Sequence, residues 1–218
     1  MGSVYIQRSD GNPWDDVHNQ AHEGVDLNRN FGTCWSEGSS DRNPGGSTND
    51  CDEDFKGSIA FSEPETKALK ALVETRRIQT AFNYHSYGKI FYLPYSCQRA
   101  GIPTGVMGEV LDEVVPKLVA TNGFEHNRPW KDGSYAFGGV LGEESDWMFE
   151  QGVLAITPEL GPDDNFANQD DMVGFYPPAQ NIEEVCHALL FFSISRRALP
   201  FRMVAKKIAQ SLWLSRHD

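Results

Sequence analysis

Ile78-Gln-Thr-Ala-Phe-Asn-Tyr84, then His85-Ser-Tyr-Gly88, then Ile90-Phe-Tyr-Leu-Pro-Tyr95 is the stretch on which the fold turns. Residues 78–84 form a short run rich in β-branched and aromatic side chains, and residues 85–88 break it, so His85 falls at the carboxyl end of a strand. Residues 90–95 read as the next strand. Just upstream, Ser62 caps a helix, Glu65 completes a capping box and Pro64 suits the first turn. Leu69, Leu72 and Val73 give that helix its apolar stripe, and it ends near Arg76-Arg77. Helix followed by strand predicts an α/β fold, in which ligands bind outside the carboxyl ends of strands.

The same alternation continues downstream. Residues 105–121 predict an amphipathic helix, with Val106, Val110, Leu111, Val114, Val115 and Leu118 inward and Glu109, Asp112 and Glu113 outward; Pro116 kinks it. Residues 122–146 read as a loop of binding or lid type, holding Trp130, Tyr135 and Gly138-Gly139. Trp147 and Phe149 lead into a buried strand over 153–157, which Pro158-Glu159 ends. Glu159 is thus a second reactive group at a strand exit. Residues 182–193 are apolar enough for a packed helix.

Between the turn-rich start and the first helix lies Gly24-Val-Asp-Leu-Asn-Arg-Asn-Phe31, which sets an amide, Asn28, beside a guanidinium, Arg29. A planar guanidinium holds both oxygens of a carboxylate, and an adjacent amide donates to a remaining lone pair. A rival reading is a local turn whose Arg and Asn satisfy nearby carbonyls. His18 and His22 stand four apart, but their segment has no apolar period, so they read as solvated loop histidines. Asp50, Asp52, Glu53 and Asp54 read as a solvated acidic patch, since their spacing matches no calcium loop.

At 218 residues with 39% hydrophobic residues, the chain is long enough for one well-buried domain. Its net charge of -12 argues against nucleic acid, since phosphate binding needs a basic face. Six of the 19 basic residues but one of the 31 acidic ones lie in 196–218, leaving -17 on residues 1–195. Within that basic tail, Val204, Ile208, Leu212 and Trp213 oppose Arg202, Lys206 and Lys207. The segment could make weak contact with an acidic membrane or partner, but packing against the chain's own acidic body is the preferred reading. No apolar run approaches a membrane span, and the start, Met-Gly-Ser-Val-Tyr, lacks the regions of a signal peptide. Cys34, Cys51, Cys97 and Cys186 show no CxxC spacing, and Cys34 and Cys51 flank a polar loop that a disulfide between them would close.

Gly24-Val-Asp-Leu-Asn-Arg-Asn-Phe31, Phe61-Ser-Glu-Pro-Glu-Thr-Lys-Ala-Leu69, Tyr84-His-Ser-Tyr-Gly88, Asp146-Trp147 and Thr157-Pro-Glu-Leu160 together resemble the zinc metallocarboxypeptidases of the carboxypeptidase A/B type, in the same order and at compatible spacings. The resemblance runs from about Arg8 to about Ser195, the later two-thirds of that family's catalytic domain. It implies a mixed, twisted β-sheet with helices on both faces, here without its N-terminal strands, over residues 1–195, with 196–218 as a basic tail. It implies that His85 is a zinc ligand, Glu159 the general acid/base and Arg8 the arginine that polarises the scissile carbonyl. Asn28 and Arg29 resemble the clamp for the substrate's terminal carboxylate, Tyr135 the mobile tyrosine over the bound end, and Ser86 and Tyr87 belong to the substrate-binding set. One zinc ion, peptide or protein C-termini as partners and a secreted location follow from the same likeness. Glu143, Glu144 and Ser145 lie near the family's specificity pocket, where acidic residues point to basic C-terminal side chains. The family's other zinc ligands come from a His-x-x-Glu pair, and this chain has none: Ala21, Val25, Gly88, Pro129 and Leu190 stand three residues after His18, His22, His85, His126 and His187. The reading is therefore a truncated catalytic domain of a carboxypeptidase, with a metal-free module that binds peptide C-termini as the alternative.

Overall fold

The computed structural model describes residues 24–37, 45–50, 52, 54–97, 100–120, 123–128, 139–161 and 179. The expectations for Arg8, His18, His22, Cys51, Tyr135, Cys186, the helix over 182–193 and the tail from 196 lie outside these residues. The chain divides into two compact units, one of residues 1–83, 94–101 and 128–155, the other of 84–93, 102–127 and 156–218.

In the first unit a 3-10 turn, Leu27–Arg29, leads to helix α1, Pro64–Thr75, and strand β1, Thr80–Phe82. Helix α3, Glu144–Glu150, and the start of strand β5, Leu154–Leu160, complete it. Asn30 joins the first two elements. Its side chain is fully buried, donating to Lys56 O (2.8 Å), Ile59 O (3.1 Å) and Ser62 Oγ (2.9 Å) and accepting from Thr66 Oγ1 (2.8 Å). Its oxygen also receives the amide of Glu63 at 3.4 Å, so the start of α1 is served by a residue 33 positions away.

That corrects the capping expectation. The N-cap is Glu63, not Ser62, no side chain of the cap closes a capping box, and Ser62 Oγ instead donates to Glu63 Oε1 at 2.6 Å. Gly57 makes the arrangement possible: at φ 83°, a Cβ there would stand 2.5 Å from Ser62 Oγ and 2.7 Å from Asn30 Nδ2. The core beside this network is Phe31, Val73, Trp147, Met148, Val153 and Ala155. Phe61 meets Phe31 and Trp147 edge-on at 5.5 and 5.1 Å between ring centroids. Leu72 was expected in the stripe but is 47% exposed.

The second unit contains β2, His85–Ser86, β3, Ile90–Tyr92, helix α2, Gly105–Val119, β4, Glu125–Asn127, and the rest of β5. Here β2 pairs parallel with β5, β3 antiparallel with β5, and β3 parallel with β4. The described strands form a mixed sheet in the order β1-β5-β3-β4, with β2 also on β5. Helix α2 buries Val110, Leu111, Val114, Val115 and Leu118 as its period requires, while Val106 is only half-buried. Phe91 and Phe124 meet edge-on at 5.3 Å between ring centroids.

Two downstream expectations fail. Residues 122–146 are not all loop, since β4 and the start of α3 fall within them, and Trp147 and Phe149 belong to α3. The buried strand does not stop at Pro158: Pro158 pairs opposite Phe91, and Thr157 and Glu159 pair opposite Tyr92 and Ile90. Two flanking partners carry the strand past a residue that ends an isolated one.

Asn30→Ala would strand the Lys56 and Ile59 carbonyls and the Glu63 amide inside the first unit. It is expected to destabilise by about 4 kcal/mol, the range of broken buried networks, whereas Leu72→Ala stays within about 0.5 kcal/mol. Urea unfolding of both variants checks this, and equal costs would refute it.

Candidate functional site

In the second unit, His85 and Glu159 are direct partners across the β2–β5 pair. Partners in adjacent parallel strands share a face about 4.8 Å apart, so an imidazole and a carboxylate stand side by side. Glu159 is 8% exposed and His85 half-buried. On its other side Glu159 faces Ile90 of β3. Ser86 is exposed and Tyr87 half-buried, joined by a cis peptide, and Gly88 donates its amide to Leu160 O at 3.1 Å.

In the first unit, Asn28 and Arg29 occupy the 3-10 turn. Asp26 caps it by accepting the Asn28 amide at 2.9 Å, an Asx turn written in the spacing Asp-Leu-Asn. Asn28 Oδ1 accepts the amide of Glu144, the first residue of α3, at 3.0 Å. Because that partner is an N–H, the side chain is oriented by chemistry, and whatever else Asn28 Nδ2 touches it touches as a donor. Arg29 Nη1 donates to Asn28 O at 3.0 Å. Its Nε is buried with no hydrogen-bond acceptor among the described residues; the carboxylate of Asp26 lies 4.0 Å away.

Sequence reasoning missed what stands behind this pair. Gly142, at φ 67°, lies so close that a Cβ would come 2.2 Å from Arg29 O. Phe31 donates to Gly142 O and Gly142 to Thr33 O, both at 3.0 Å. Two residues past Glu144, the buried Asp146 accepts the Ser96 amide at 2.9 Å and the Cys97 amide at 3.2 Å. Ser96 Oγ donates to Glu143, and Asn83 Nδ2 donates to Ser145 Oγ at 2.8 Å. Glu143 and Ser145 are therefore engaged inside the first unit. Cys34 is bonded to Cys97, not to Cys51, across a sequence separation of 63 that local spacing has no means of reading.

A family model described as zinc carboxypeptidase matches residues 2–191. The chain belongs to the zinc carboxypeptidase family. Human carboxypeptidase B is 29% identical over 167 residues, covering 75% of this chain and 36% of that protein. Zinc carboxypeptidase A 1 of Anopheles gambiae is 30% identical over 165 residues, covering 73% and 35%. The match thus spans little more than a third of those relatives' own length. Bovine thrombin-activatable fibrinolysis inhibitor, solved with a tick carboxypeptidase inhibitor, has the same fold at a TM-score of 0.63 and 24% identity, over 95% of this chain and 65% of that one.

The described residues do not by themselves complete a ligand set for the family's metal. Catalytic zinc takes three protein ligands. Among the described residues, the grouping of three ligand-type side chains is Cys34, Glu37 and Cys97, two of which are joined as a disulfide, and His85 is in no such group.

Burial, and then the Glu143 carboxylate beside it, push the Asp146 pKa well above the ordinary 3.8, against the pull of the Ser96 and Cys97 amides. A carboxyl raised on folding binds its proton more tightly in the folded chain, so its contribution to stability is intact below about pH 4 and lost as pH climbs towards the folded value. Glu143→Gln is expected to flatten that decline in urea midpoints measured between about pH 4 and 8. A decline unchanged from wild type would refute the assignment to this pair.

Proposed function

We propose that this chain serves a metallocarboxypeptidase-type reaction, the removal of C-terminal residues from peptides and proteins, with Arg29 and Asn28 holding the terminal carboxylate. The observation that carries this reading is the Arg29–Asn28 turn. It offers a buried guanidinium nitrogen without an acceptor among the described residues, beside an amide whose oxygen is taken by Glu144. Such a pair suits a planar anion, and only a chain end presents that group beside a peptide bond.

Glu159 then acts as the general acid/base, accepting a proton from water as it attacks the last carbonyl and returning it to the departing amine. Its neighbour His85 takes the metal-ligand role, Ser86 and Tyr87 contact substrate, Arg8 polarises the carbonyl, and Tyr135 covers the bound end. Zinc belongs to the family's chemistry, and ligands beyond His85 would have to come from elsewhere than the described residues. The Cys34–Cys97 bond supports work in an oxidising compartment such as the extracellular space. No described helix is long and apolar enough to cross a membrane.

A second reading, binding of C-termini without metal or hydrolysis, rests on the lack of a His-x-x-Glu pair in this sequence. Zinc per chain after dialysis separates the two. Near-stoichiometric zinc lost in His85→Ala, with release of C-terminal residues that falls in Glu159→Gln, supports hydrolysis. Zinc near zero with retained binding of C-terminal peptides selects the second. In either case Arg29→Ala is expected to weaken binding of a free C-terminal carboxylate roughly ten- to hundredfold, the worth of charge-assisted hydrogen bonds, and to leave a C-terminal amide unaffected. Equal loss for both peptides would exclude Arg29 as the carboxylate's partner.

A further inference from the structure

The Arg29–Asn28 turn is held from behind by a closed ring of contacts within the first unit. The chain leaves Arg29 through Phe31 and Thr33, which exchange backbone hydrogen bonds with Gly142. Gly142 leads directly into α3, whose first amide, Glu144 N, donates to Asn28 Oδ1 at 3.0 Å. Two residues further into α3, Asp146 holds the amides of Ser96 and Cys97. Ser96 O receives Val140 N at 3.1 Å, Ser96 Oγ donates to Glu143, and Cys97 is bonded back to Cys34. Cys34 lies next to Thr33, so the ring closes covalently.

We propose that Asp146 and the Cys34–Cys97 disulfide are positioning elements for carboxylate recognition, holding the α3 amide that orients Asn28. This rests on the reading that Asn28 and Arg29 bind the terminal carboxylate. Neither Asp146 nor the disulfide touches the ligand. They act through Glu144 N, because α3 has no side-chain cap of its own at Glu143 and its first amide is taken by Asn28. Loss of Asp146 would free the first turn of α3 from residues 96–97, loss of the disulfide would free residues 96–97 from Cys34, and either would loosen the Glu144 amide that fixes Asn28 Oδ1. A hydrogen-bond donor that rotates freely gives up much of its advantage over water.

The test is calorimetric titration of the 218-residue chain with a short peptide carrying a free C-terminal carboxylate and with its C-terminal amide, in wild type, the Cys34→Ser/Cys97→Ser double variant, Asn28→Ala and the combination. The double variant is expected to lose the preference for carboxylate by about tenfold, and adding Asn28→Ala is expected to cost little more, as for groups acting through one contact. A purely structural role would weaken both peptides alike, or add fully to Asn28→Ala, and either result overturns the proposal. Should the double variant fail to fold, Asp146→Asn and phosphine reduction of the folded wild type carry the same outcomes. A wild type that binds carboxylate and amide equally overturns the carboxylate reading and the proposal together; a wild type with the preference and a reduced protein that keeps it overturns the proposal alone.

Discussion

A single buried amide, that of Asn30, is the constraint on which the first unit depends. Its position directly after Asn28 and Arg29 commits the chain: once Asn30 is drawn inside to satisfy the carbonyls of Lys56 and Ile59, the two residues before it are held in a 3-10 turn. A buried amide left unmatched costs roughly 1–3 kcal/mol for each lost partner, so the loop over 54–62 has little freedom to settle elsewhere. The aromatic contacts then follow. Phe61 donates its amide to Asn30 O at 2.6 Å and adopts φ 58°, a strained value for a bulky residue, to bring its ring against Phe31 and Trp147. Apolar packing and the polar network stabilise one arrangement.

Charge is handled locally in the same unit. Lys56 is 4% exposed, with its ammonium on the carbonyls of Trp35 (3.0 Å) and Glu37 (2.8 Å) and over the Trp35 ring. Burial lowers its pKa, and Glu37 partly restores it. Asp146 shows the opposite case, a carboxyl so enclosed that two amides do not offset its desolvation and the presence of Glu143. Buried ionisable groups of this kind stabilise poorly compared with apolar ones of equal size. Their presence on the scaffold behind Asn28 is easier to understand as a fixing of geometry than as a source of stability.

Local sequence rules carried the parts of the fold whose determinants are local. The inward face of α2 at Val110, Leu111, Val114, Val115 and Leu118 follows from helical period alone, whereas the equally local Asp26 cap, an i, i+2 contact, was not read from the sequence. Rules failed where a distant residue decided the outcome. Ser62 has the right composition for a cap, yet Asn30 reaches across to receive the Glu63 amide. Cys34 has a nearer candidate in Cys51, yet its partner is Cys97. Pro158 should end a strand, yet partners on β3 extend it far enough to set Glu159 beside His85. In the candidate site, Asn28, Arg29, His85 and Glu159 can be singled out from the sequence as candidates because each carries its chemistry in its own side chain. Gly142, Ser96 and Asp146 were not recognised as supports for the turn, since their part lies in backbone contacts that tertiary structure alone creates.

The charge of the chain bears on how an anionic peptide end would be recognised. At -12 overall, the protein repels a carboxylate at long range, and screening beyond about 8 Å in physiological salt only removes that repulsion without reversing it. On the proposed reading, attraction therefore has to arise at contact, from Arg29 and Asn28. Arg29 is not an isolated charge, because Asp26 already stands 4.0 Å from its Nε with both side chains largely buried. A substrate carboxylate would thus add a second anion beside a guanidinium that has one, and the Coulombic gain is correspondingly reduced. What remains is direction: hydrogen bonds from a fixed fork and from an amide whose orientation is set by a helix amide. Recognition built this way depends on geometry more than on charge, which is why the contacts that hold Asn28 matter as much as the presence of Arg29.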